Sequence, residues 1–191
     1  MISYRKAIRE EAEMIAEYFV SALPVESFLA LDSRLTIEGL TSLYADYIRA
    51  ENTLYSYRNT FVAVTEDGFV AGAICGYSGD DFLELKKPIT EDFEKRFGPN
   101  PYAQCNETGP GEFYLDSIGV AKEMRSQGIG RNLFEAIIKY AFEQGHKTIG
   151  LLVDTDNPKA EKLYRKIGFE EVGKKDFMGH TMKHMQIKAA D

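Results

Sequence analysis

Residues 113–130 constrain this chain more than any other stretch. Their first part, Phe-Tyr-Leu-Asp-Ser-Ile-Gly-Val, is rich in aromatic and β-branched residues whose side chains alternate between two faces, which predicts a strand. The second part is a short polar turn that closes on Arg125-x-x-Gly128-x-Gly130. A helical stripe begins at once, with Ile129, Leu133, Phe134, Ile137, Ile138 and Ala141 on one side. Strand, glycine turn and helix start together make an anion site. The first amides of a helix have no internal partner, and the macrodipole adds partial positive charge there. Glycines at 128 and 130 let a phosphate approach the main chain with no Cβ in the way.

The flanking sequence sets the fold class. Residues 2–6 predict an opening strand, and residues 9–23 a helix with Ile8, Ala12, Ile15, Ala16, Phe19 and Val20 at helical spacing, stopped by Pro24. Residues 27–49 predict one or two further helices with Leu31, Leu35, Leu40, Leu43, Tyr44 and Tyr47 as the inner face. Two β-rich runs, 60–66 and 69–77, flank Asp67-Gly68 and predict a hairpin. Residues 147–154 form a near-continuous apolar run, as expected of a strand covered on both faces. Residues 157–167 predict a helix stopped by Gly168, and residues 169–175 and 181–188 a closing antiparallel pair. This order reads as one α/β domain over residues 1–191, built on a mixed sheet with antiparallel ends. Between the strands, residues 78–111 form a long insertion with helical spacing over 82–97, either a variable surface segment or a substrate lid.

Composition narrows the class of partner. With 44% hydrophobic and 28% charged residues the chain is expected to be globular, and a net charge of -7 with no long basic run argues against nucleic acid. Cys75 and Cys105 have neither metal-ligand spacing nor a disulfide framework, which fits a reducing cytosol. No stretch resembles a signal peptide or approaches membrane-spanning length, so a cytoplasmic protein with no membrane partner is expected. His180 and His184 have no partner spacing that suggests a metal or a nucleophilic triad. The edges of the terminal strands permit a homodimer without requiring one.

Three signals occur in one order. They are Val120 with Arg125-x-x-Gly128-x-Gly130, a buried strand ending near Val153, and Asn157-x-x-Ala160-x-x-x-Tyr164-x-x-x-Gly168-Phe169. Over roughly residues 113–169 the chain resembles the GCN5-related N-acetyltransferase (GNAT) superfamily. The resemblance implies a mostly antiparallel mixed sheet with a central parallel pair splayed to hold acetyl-CoA, and helices on both faces. It implies acetyl-CoA as acyl donor and a small-molecule or protein amine as acceptor, attacking the thioester directly. Ile118, Gly119 and Val120 would line the pantetheine arm, with backbone groups of Ile118 and Val120 pairing with it. The amides of Arg125, Ser126, Gln127, Gly128, Ile129, Gly130 and Arg131 would hold the pyrophosphate. Lys122 stands where many members have proline, and Ser126 where they have glycine; neither change removes a phosphate-facing amide.

The chemistry needs a proton acceptor for the amine and a donor for the departing thiolate. Tyr164 matches the family tyrosine that acts as general acid, the other reading being a core tyrosine beside Leu163 and Ile167. Asn157 either caps its helix or, as the resemblance implies, binds the pantetheine arm as well. Asp116 lies where some members carry an acidic residue near the acceptor amine. Glu112 has the same parity, so either carboxylate serves as base or binds a cationic substrate. The lysines and arginine at 159, 162, 165 and 166 reach the cofactor's terminal phosphate or form a solvated helix face. A non-catalytic acyl-CoA-binding sensor module is the alternative of a different class.

Overall fold

A computed structural model describes residues 1–101 and 103–189. Its centre is the predicted strand β4 (Phe113–Val120), which the sequence bounded correctly. Before it come β1 (Ile2–Lys6), α1 (Ala12–Val20), α2 (Val25–Leu29), α3 (Ile37–Arg49), β2 (Thr60–Thr65), β3 (Val70–Ser78) and α4 (Phe82–Phe97). After it come α5 (Ile129–Glu143), β5 (Thr148–Asp154), α6 (Pro158–Ile167), β6 (Glu170–Phe177) and β7 (His180–Lys188). The strands make one seven-stranded sheet in the order β1-β2-β3-β4-β5-β7-β6. Every neighbouring pair is antiparallel except β4 with β5. The closing hairpin therefore folds back so that β7, the last strand in sequence, lies against β5 and β6 takes the edge.

Helices cover both faces. On one face α1, α3 and α4 bury Ile15, Phe19, Leu40, Ile48, Phe82 and Phe93 against Ala73, Cys75 and Tyr77 of β3. On the other, the α5 stripe of Ile129, Leu133, Phe134, Ile137 and Ala141 packs on Ile74, Leu115, Ile149 and Leu151. Each such side chain removed from water is worth about 1.5–3 kcal/mol, so the amphipathic stripe is what holds α5 on the sheet.

Two irregularities in β4 shape the functional region. The β4–β5 ladder contains only Phe113↔Ile149 and Tyr114↔Gly150, after which the strands part. On its other edge, Ile74↔Ile118 is followed by Gly76↔Leu115, so Cys75 faces both Asp116 and Ser117. This bulge re-aims the side chains just where the parallel partner leaves.

The insertion is packed against the body. Its ends are tied by the Gly79 amide to Glu112 carbonyl bond (2.8 Å). Tyr47 of α3 donates to Asp92 Oδ2 (3.1 Å), and the Leu54 amide donates to the Leu85 carbonyl (3.2 Å).

Candidate active site

The parting of β4 from β5 opens a small void of about 20 Å³ lined by Ile118, Phe134, Leu151 and neighbours. A larger cavity of about 520 Å³ lies beside it, under α4 and the β6–β7 hairpin. Asp116, Ser117, Leu152 and Tyr164 line both spaces, so they stand where gap and cavity meet. A third, shallow groove of about 580 Å³ lies on the outer side of α5, away from these residues.

The turn at the open end of the gap has the anion-site geometry expected of it. Arg125 folds back, its Nε donating to the Val120 carbonyl (3.2 Å). Ser126 and Gly128 adopt φ of 65° and 81°, and Gly128 in this left-handed conformation starts α5. The first helical bond runs from the Asn132 amide to the Gly128 carbonyl (3.0 Å), so the amides of Ile129, Gly130 and Arg131 precede the ladder. Gly130 faces the strand, where an added Cβ would sit 3.7 Å from Val120 Cγ2 in ordinary contact. Gly119 is needed for packing: a Cβ there would come within 2.6 Å of Tyr18 Cβ on α1. The side chains of Gln127 and Arg131 are engaged locally, with Glu123 O and Glu135. Arg165 pairs with Glu161 and Glu171, while Lys159, Lys162 and Lys166 form an exposed face.

Asp116 sits at the junction with both oxygens oriented. Tyr77 donates to its Oδ2 (2.6 Å) and Ser117 to its Oδ1 (2.8 Å). Burial raises its pKa, and those two hydrogen bonds oppose the rise. A second carboxylate that sequence reasoning missed, Glu107, lines the same cavity from the insertion, with the Tyr114 hydroxyl 3.5 Å from its Oε2. Burial, and then repulsion by Asp116, push Glu107 well above the usual carboxylate range. Its loop carries no pattern that a sequence search for catalytic spacing would find.

Glu112 does something else. Its Oε2 accepts from His184 Nε2 (2.9 Å) and Gln186 Nε2 (2.7 Å), and its Oε1 accepts from Thr108 Oγ1 (2.7 Å). The carboxylate fills the space above Gly150, where a Cβ would lie 2.0 Å from Oε2. Parity does hold, since Glu112 lies over the face that carries Tyr114, yet it is absent from the lining of the cavity. Burial alone would raise its pKa, but the hydrogen bonds from His184, Thr108 and Gln186 outweigh this and hold it below the ordinary value. Glu112 thus clamps β5 and β7 to the start of β4.

Tyr164 is half-buried, edge-on to Phe134 with ring centroids 5.3 Å apart, and burial raises its pKa. Asn157 caps α6, its Oδ1 accepting from the Ala160 amide (3.1 Å), with Pro158 in the first turn. That bond uses only the amide oxygen, and Asn157 still lines the cavity. At the rim, Asp154 Oδ2 lies 3.2 Å from His180 Nδ1.

A splayed parallel pair, a bulged strand, a glycine turn and an open cavity beside them match a known arrangement. The family model described as the acetyltransferase (GNAT) family matches residues 25–169. This chain belongs to the GNAT acetyltransferase family. The GNAT match runs from α2 past α6, so it includes the insertion together with Asp116, Asn157 and Tyr164. A crystal structure of an acetyltransferase superposes with a TM-score of 0.83 at 31% identity, covering 98% of this chain and 100% of that one. Mycothiol acetyltransferase of Paenarthrobacter aurescens is 39% identical over 74 residues, which is 39% of this chain and 20% of that protein. The N-alpha-acetyltransferase RimI of Mycobacterium tuberculosis is 37% identical over 71 residues, 37% of this chain and 43% of RimI. The matched stretch thus spans less than half of either curated relative. GNAT acetyltransferases use acetyl-CoA, and the expected mixed sheet with helices on both faces is the fold observed.

Proposed function

We propose that residues 1–191 form a single N-acetyltransferase domain, which moves an acetyl group from acetyl-CoA to the primary amine of a small molecule by direct attack on the thioester. The observation that carries this reading is the shared lining of gap and cavity by Asp116, Ser117, Leu152 and Tyr164. It brings a proton acceptor and a proton donor to the one place where donor and acceptor molecules meet.

The residues fit acetyl-CoA. The main chain of β4 beyond Tyr114 has no β5 partner, which leaves Ile118 and Val120 able to pair with an extended pantetheine arm, with Gly119 between them. The turn from Arg125 through Ser126, Gln127 and Gly128 leads into the amides of Ile129, Gly130 and Arg131, suited to a pyrophosphate. The Asn157 amide nitrogen remains to donate to the arm while its oxygen caps α6. When bound, acetyl-CoA supplies the activated acetyl group.

Asp116 takes a proton from the acceptor ammonium, so that a neutral amine attacks. Its raised pKa moves it toward the working pH, which makes it a better base than an exposed aspartate. Tyr164 donates to the departing sulfur. Burial keeps its phenol protonated, and among the described residues no hydrogen bond to its hydroxyl competes for that proton. A cavity of about 520 Å³ bounded by α4, the hairpin and, among the described residues, four tyrosines suits a small amine better than a lysine on a folded protein.

The test is a panel of amines assayed by release of free CoA, with wild type beside Tyr164→Phe. The variant is expected to retain acetyl-CoA affinity and to lose about 10²-fold or more in kcat, the usual scale of general acid catalysis. Full turnover in Tyr164→Phe removes the tyrosine from the mechanism. No turnover across the panel, with acetyl-CoA still bound, overturns the enzyme.

A further inference from the structure

The cavity's charge is unbalanced. Among its described lining residues, Glu107, Asp116 and Asp154 are carboxylates, Lys86 is the lysine, and no arginine is present. Lys86 is occupied, its Nζ donating to the Cys105 carbonyl (2.5 Å) and to Asn106 Oδ1 (3.3 Å). Asp154 is engaged at the rim by the Asp156 amide (2.8 Å) and His180. Lys86 attracts Glu107 but shares its ammonium with the Cys105 carbonyl and Asn106, so the described lining sets three acidic side chains against one lysine.

Asp116 stands at the mouth of the gap, whereas Glu107 lines the cavity alone. Each is held by its own tyrosine: Tyr77 and Tyr114, whose rings are 5.9 Å apart, reach Asp116 (2.6 Å) and Glu107 (3.5 Å) respectively with their hydroxyls. Phe28, Leu54, Ile89 and Met182 supply apolar wall suited to methylene groups.

These features discriminate among amines. An amino acid would bring its own carboxylate into an acidic chamber whose described lining holds no arginine to receive it. A monoamine would pair with Asp116 alone, whereas a second cation could also pair with Glu107, whose charge burial and Asp116 disfavour and Lys86 offsets only in part. We propose that the acceptor is a small diamine, its reacting amine at Asp116 and its second ammonium held by Glu107. This inference rests on the acetyl-transfer reading of the same cavity. Glu107 is then the residue, carried by the insertion, that selects the acceptor. The upward push on Glu107, first from burial and then from Asp116, agrees, since a bound dication would oppose both.

The experiment compares 1,4-diaminobutane with butylamine on the intact protein, by calorimetric binding in the presence of CoA and by steady-state acetylation. The diamine is expected to bind, and to give kcat/KM, about tenfold or more above the monoamine, or about 1.4 kcal/mol. In Glu107→Gln that ratio is expected to fall to less than about threefold, mainly through KM, while Glu107→Asp keeps part of it. Equal binding of the two amines to wild type, or no binding of either, overturns the proposal. So does a ratio that survives Glu107→Gln. Diamine selectivity in binding without any acetylation upholds the charge pairing and overturns acetyl transfer instead.

Discussion

Removing the Glu112 carboxylate tests whether this residue holds the sheet or takes part in the chemistry. In Glu112→Ala three hydrogen bonds disappear, from His184, Gln186 and Thr108, and a methyl is left where the carboxylate covered Gly150. Hydrogen bonds to a charged group are worth about 1.5–3 kcal/mol each, but the variant also recovers the cost of burying the charge. Breaking a buried charge network of this kind nets about 3 kcal/mol. For a chain of 191 residues that lowers Tm by about 6 to 12 °C. Glu112→Gln, which keeps one oxygen for His184 and Gln186 and an NH₂ for Thr108 Oγ1, loses about half as much. The loss also depends on pH. Because Glu112's pKa is depressed in the fold, its ionised form contributes stability above its unfolded value, and the contribution fades as pH falls through the lower folded value. The gap in Tm between wild type and Glu112→Ala is therefore widest near neutrality and narrows below about pH 4.5. Thermal unfolding across pH measures this, and CoA release measured well below Tm separates stability from chemistry. A Tm within about 1 °C of wild type, or a fully folded variant whose kcat falls by about 10²-fold, refutes the clamp and returns Glu112 to the reaction.

Three further outcomes follow from the same geometry. Asp116→Asn is expected to lower kcat/KM by about 10² to 10³-fold and to abolish the acid limb of its pH profile. In wild type that limb rises with pH through an apparent value, belonging to the Asp116–Glu107 pair, above the ordinary carboxylate range; an unchanged limb in the variant counts against Asp116 as base. Asn157→Ala is expected to cost about 1 kcal/mol through the lost cap, seen as a Tm lower by about 2 to 4 °C, and to weaken acetyl-CoA binding; affinity within about twofold of wild type leaves Asn157 as a cap alone. Since burial and then Asp116 raise Glu107's pKa, a cation bound beside it should lower that pKa, so diamine binding should release protons over the pH range in which Glu107 titrates. The binding enthalpy should therefore vary with the ionisation enthalpy of the buffer, and buffer-independent heat argues against Glu107 as the partner.

Much of the architecture is local in origin and was legible in the residues. β1 and β4 have the ends that alternation and turn residues predict, and α5 begins where the glycine turn stops. The helix expected over residues 9–23 is shorter, because its first turn is a 3-10 turn at Arg9–Glu11 and α1 ends at Val20. Residues 27–49 resolve into α2, which starts at Val25, and α3, capped by Thr36. Tyr164 and Asn157 were also legible, because each sits at a fixed step on one helix and a helix preserves its spacing in three dimensions.

What the sequence by itself determined is therefore the strand, turn and helix start to which the proposed donor end is assigned. A strand, a glycine turn and a helix start are contiguous, so local rules suffice to assemble an anion site. The proposed acceptor end was assembled by tertiary structure. Glu107 reaches Asp116's cavity only because the insertion packs over α3 and brings its last loop back beside Tyr114. Glu112 looked equivalent to Asp116 by strand parity, yet His184 and Gln186, more than seventy residues away, engage its carboxylate. The two carboxylates differ in surroundings because burial and partners come from the whole fold, and no spacing along one strand encodes them.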